Sequence, residues 1–134
     1  MCVVSSELTK LAKVMYKGRD VSHGMHHVSR VRDNAMLIAK RLNITDSYRL
    51  IKIETAALFH DLWDHKYLNP LSMEYKKTKD EFKNQLKKKL FSDQEIKDVE
   101  IINIFILFIF IKYNYLNNTF FCYFWFIYFF IIYF

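Results

Sequence analysis

Two glycines and a single proline punctuate 134 residues, and so few breakers exclude the turn-rich layouts on which β-sandwiches and small barrels depend. Cysteine is as scarce. Cys2 and Cys122 are the only two, so no disulfide framework is expected and a reducing, cytoplasmic setting follows. The N-terminus lacks a basic start followed by an apolar run of about 7–15 residues. Charged residues appear from Glu7 onward, and no secretory signal is read. Acidic residues are missing altogether after Glu100.

What is present is unevenly distributed. The length allows one domain at most. All 14 acidic residues and 19 of the 20 Lys and Arg fall in residues 1–103, giving that part a net charge of +5. Residues 104–134 hold 26 apolar or aromatic residues out of 31, including 10 of the 13 Phe. The chain therefore divides into a charged domain, 1–103, and a Phe/Ile/Tyr-rich tail, 104–134. Much of the positive charge comes from Lys76, Lys77, Lys79, Lys83, Lys87, Lys88 and Lys89. A run of this kind reads as a solvated helix face, and no specific nucleic-acid partner is inferred from it.

Apolar spacing is helical almost throughout residues 1–103, which predicts an all-α fold. Leu8, Leu11, Ala12 and Met15 mark a first helix ending at Lys17-Gly18, where glycine can adopt the left-handed cap conformation. Val28, Val31, Ala35, Ile38, Ala39 and Leu42 mark a second, from about Ser22 to Leu42. Asp46 or Ser47 can cap a third, which runs through Leu50, Ile53, Ala57 and Phe59 to His60. Asn69-Pro70 breaks the chain. Met73, Phe82, Leu86 and Leu90 carry a fourth helix, and Ser92-Asp93-Gln94-Glu95 is a capping box that opens a fifth through Ile96 and Val99.

Chemistry concentrates on the second and third of these helices. His27 and Arg30 are three apart, so one helix offers both a ligand and a cation. His60 and Asp61 are adjacent, about 100° apart around a helix. Both can reach one ion only if the helix end points at it. Two neutral imidazoles and a carboxylate suit a divalent ion that binds phosphate oxygens and lowers the pKa of a bound water. Mn²⁺, Mg²⁺, Fe²⁺ and Zn²⁺ are all compatible with that donor set.

The segments Ser22-His23-Gly24-Met25-His26-His27-Val28-Ser29-Arg30-Val31 and Ala56-Ala57-Leu58-Phe59-His60-Asp61-Leu62 resemble the first two motifs of the HD superfamily of metal-dependent phosphohydrolases. The resemblance covers roughly residues 5–103, and Asp64-His65-Lys66-Tyr67 looks like the branch of small HD proteins that includes bacterial nucleotide pyrophosphohydrolases. It implies a helical bundle with His27, His60 and Asp61 as metal ligands. It further implies Asp64 as general base or water positioner and Lys66 as a phosphate contact, with a nucleotide or phosphoester as substrate. His23 either contacts substrate or orients a ligand, and His26 is incidental. Arg30 either clamps phosphate or pairs with Asp33 or Glu54. Many relatives carry Asp where this chain has Gly24, so one supporting carboxylate is absent.

The resemblance also implies a late Asp ligand, for which nothing after Glu100 can serve. It fades near Ile102-Asn103, so the HD domain reads as incomplete. The Phe, Ile, Tyr, Asn and Leu beyond share adenine- and thymine-rich codons, which reads as translation running into a noncoding stretch. The alternative is a genuine tail that enters a membrane, with apolar runs at 104–111 and 120–134, each short of the roughly 20 residues a span needs. Three functions follow: a metal-dependent hydrolase, an HD-like binding module without turnover, or a membrane-attached helical protein facing the cytoplasm. Substrate and oligomeric state stay open.

Overall fold

The computed structural model describes residues 3–64, 67–89 and 91–116, with side chains for residues 4–64, 67–89 and 91–104. Lys66, Leu90, both cysteines and residues 117–134 lie outside that set. Five helices follow in order, α1 Val3–Met15, α2 Met25–Arg41, α3 Ser47–Phe59, α4 Met73–Lys88 and α5 Asp93–Leu116, with no strand among the described residues. The all-α expectation is met.

Capping chemistry sets most of the boundaries. Asp46 accepts the Arg49 N–H at the start of α3, and Ser72 accepts the Tyr75 N–H at the start of α4. The capping box forms in both directions. Ser92 Oγ accepts from the Glu95 N–H at 3.2 Å, and the Ser92 N–H donates to Glu95 Oε2 at 2.7 Å. Gly18 ends the α1 turn with φ +86°, and Asn43 follows α2 at φ 55°, both in the left-handed region that closes helices.

The second helix differs from the sequence expectation. It begins at Met25 behind Gly24, not near Ser22. Asp20 Oδ1 captures the backbone N–H of Ser22 at 2.9 Å and of His23 at 3.2 Å, which holds residues 20–23 in a turn. A side chain at Gly24 would bring a Cβ within 2.8 Å of the Asp20 carbonyl oxygen. Glycine at that position therefore lets the turn pack against the start of α2. Met73, expected on the apolar stripe of α4, is 81% exposed as that helix's first residue.

The centre of the bundle is α3. Every residue from Ile53 to Leu62 is buried, because α1, α2 and α5 all pack against this helix, and a helix enclosed on all sides cannot show a polar stripe. Two polar residues in that run are satisfied locally or across helices. Thr55 Oγ1 donates to Ile51 O at 2.6 Å. Glu54 Oε1 accepts Ser5 Oγ of α1 at 2.6 Å and Arg32 Nε of α2 at 2.8 Å. Lys52 of α3 reaches Asp98 of α5 at 2.8 Å, an ion pair that links the two packed helices. The sequence boundary at 103/104 falls inside α5, which continues to Leu116 without a break. Among the described residues no helix is long and apolar enough to cross a membrane.

Phe82 of α4 is fully buried, with its ring centre 4.9 Å from that of Phe59 and 4.8 Å from that of Trp63. It fills the space on either side of His60-Asp61. Phe82→Ala is expected to lower stability by about 3–5 kcal/mol. Denaturant unfolding measures this, and a loss below about 1 kcal/mol would contradict the packing described.

Candidate metal centre

The α3 helix ends at Phe59 and His60 is its C-cap. Residues beyond it turn tightly, with the Leu62 N–H bonded to Phe59 O and the Asp64 N–H to Asp61 O. The doublet thus sits at the end of the helix, as two neighbouring ligands for one ion require. His60 Nδ1 lies 2.9 Å from Ala57 O, one turn back. A carbonyl only accepts, so Nδ1 carries the proton and Nε2 presents its lone pair. His27 comes from the first turn of α2 and meets His60 across the helix pair.

The three groups converge. His27 Nε2 is 3.1 Å from His60 Nε2 and 3.3 Å from Asp61 Oδ2, and His60 Nε2 is 3.4 Å from Asp61 Oδ1. One ligand atom from each falls within 4.8 Å of the others. Ligands about 2.1 Å from a shared ion, at angles between octahedral and tetrahedral, are separated from each other by about 3.0–3.4 Å. The His27–His60 separation fits that spacing and Asp61 approaches the two imidazoles with different oxygens, so the group could hold a divalent ion. Without one, His27 Nε2–H can donate to His60 Nε2 over the same distance.

Burial is graded across the site. His60 and Asp61 are buried, while the His27 side chain keeps 22% of its surface. Burial pushes both imidazoles below the usual histidine value, against the pull of the Asp61 carboxylate. The neutral form that a metal requires is therefore favoured.

The remaining sequence candidates form an outer ring. Asp64 is partly buried, with Oδ2 3.6 Å from His23 Nε2. The other nitrogen of His23 lies 2.7 Å from Ser22 Oγ and 3.4 Å from Asp20 Oδ1. The His23 ring centre stands 6.4 Å from that of His27. Arg30 is exposed, one turn along α2 from His27. The arginine that pairs with both Glu54 and Asp33 is Arg32, at 2.5 Å and 3.0 Å. His26 is exposed, and Lys66 is outside the described residues.

Two residues given no role in the sequence reading, Arg19 and Tyr67, belong to the site. Arg19 donates to the carbonyl oxygens of Asp61 and Leu62. Tyr67 donates to Asp20 Oδ2. Their partners lie 42 to 47 positions away, so no local pattern announces them. The comparisons with known proteins add nothing to this geometry: no family model, curated protein or solved structure matches the chain.

The depressed histidines carry a sign. Below the ordinary histidine pKa of about 6.5 the unfolded chain takes up protons that buried His60 and half-buried His27 resist, so stability falls as pH drops through that value. Melting of the chelator-treated protein should occur at lower temperature at pH 5 than at pH 7.5. His60→Asn should flatten that slope. Equal melting temperatures at the two pH values for the unmutated protein would rule the account out.

Proposed function

We propose that the protein is a metal-dependent phosphohydrolase of the HD type, acting on nucleotides or related phosphoesters. The observation that carries this reading is the convergence of His27, His60 and Asp61, one ligand atom from each within 4.8 Å of the others. A divalent ion at such a site supplies Lewis acidity toward phosphoryl oxygens and lowers the pKa of water. His27, His60 and Asp61 hold it. Asp64 accepts the proton of the attacking water, and His23, 3.6 Å away, orients that carboxylate. Arg30 and Lys66 offer cations to the remaining phosphate oxygens, and the site works from the cytoplasmic side of the cell.

A second reading rests on a specific observation. The group that could hold a metal numbers three among the described residues, and a site lacking its late Asp suits a module that binds nucleotide without turning it over. The third reading, membrane attachment, rests on tail residues that lie largely outside the described set.

Release of phosphate or pyrophosphate from a panel of nucleoside mono- and triphosphates, with Mn²⁺, Mg²⁺, Fe²⁺ or Zn²⁺, separates the first two. The hydrolase reading expects release that His60→Ala lowers by about 100-fold or more, several kcal/mol of transition-state stabilisation. Thermal stabilisation by metal and nucleotide without release of phosphate or pyrophosphate would favour the binding module. Asp64→Asn is expected to lower kcat by about 10²–10⁴-fold while leaving metal affinity intact. An unchanged kcat would remove Asp64 from the role of base.

A further inference from the structure

The His60-Asp61 doublet stands where helical hydrogen bonding has stopped, so the backbone that aims the Asp61 carboxylate has no ladder to hold it. Its support comes from the loop after α1. Arg19 Nη1 donates to Asp61 O, and Nη2 donates to Leu62 O. The guanidinium carbon lies 4.9 Å from the Tyr16 ring centre and 4.7 Å from that of Tyr67, within cation–π distance of both rings. Tyr16 is itself 3% exposed. Tyr67 is tied back to Asp20, the neighbour of Arg19, through its hydroxyl. Two donors held on one plane, with aromatic rings against that plane, are a task that guanidinium meets and ammonium does not.

We propose that Arg19 is a positioning residue of the metal centre. It fixes the turn at residues 61–62 so that the Asp61 carboxylate meets the two imidazoles at ligand spacing. The inference rests on the metal reading given above. Arg19 touches neither ion nor substrate in this arrangement. Its effect passes through the carbonyl oxygens of Asp61 and Leu62, so it should appear first in metal affinity.

The test uses the full chain, with Mn²⁺ or Co²⁺ titrated calorimetrically well below the melting temperature and helicity followed by circular dichroism. Arg19→Gly opens the space between the two tyrosines. Its affinity for either ion is expected to fall about 10–100-fold, the usual effect of losing a group that orients a ligand. Millimolar guanidinium should restore much of that loss, and methylammonium at the same ionic strength should not. If Arg19→Gly loses its helicity, Arg19→Lys carries the test, because it keeps the charge and the aliphatic stem but not the fork. Weakened binding by a folded Arg19→Lys supports the assignment. Affinity equal to wild type in either folded variant overturns it, as does a folded Arg19→Gly whose weakened binding guanidinium fails to restore. A wild-type chain that binds neither ion overturns the metal reading, and this inference with it.

Discussion

A helix that stops inside the core is the constraint on which the other features depend. Every residue of α3 from Ile53 onward is buried, and burial continues through the turn as far as Leu62. Backbone carbonyls released at a helix end must find partners when water cannot reach them. Here the partners are the Arg19 side chain and the N–H of Asp64. Meeting that requirement orders the first loop, aligns the doublet, and places the second imidazole of α2 opposite the first.

The docking of α2 on α3 fixes the other half of the site, and a buried ion pair well away from the metal centre contributes to it. Glu54 Oε1 gathers Ser5 from α1 and Arg32 from α2, which joins three helices at one carboxylate. Arg32 stays charged there because its bonds to Glu54 raise its pKa against the opposing effect of burial. Such a pair adds little net stability when intact, yet leaves an uncompensated charge if one partner is removed. Its service is to register: α2 cannot slide along α3 without breaking the pair, and His27 moves with α2.

The parts legible in the sequence are those governed by local rules. Gly18, Asp46 and the Ser92–Glu95 box end or begin helices where their side chains predict. His27, His60 and Asp61 come together, a set for which the residues offered the donors and the family resemblance the grouping. What escaped depends on tertiary proximity. No local pattern gives Arg19 or Tyr67 its role, because their partners lie 42 to 47 positions away in the sequence. Arg30 and Arg32 could not be distinguished either, since the two differ only in how α2 is rotated against Glu54. The lysines of α4 read as a solvated face, and part of that charge turns out to be structural. Lys79 and Lys83 approach Glu100 on α5, Lys87 approaches Asp93, and Lys89 reaches Glu7 on α1.

The three-ligand group at the end of α3 has a consequence for ligand chemistry. Among the described residues the side chains that could hold an ion there are His27, His60 and Asp61. An ion held by these three would complete its shell with solvent or with the oxygens of a bound anion. Metal and anion then become thermodynamically linked, each raising the affinity for the other by the same factor.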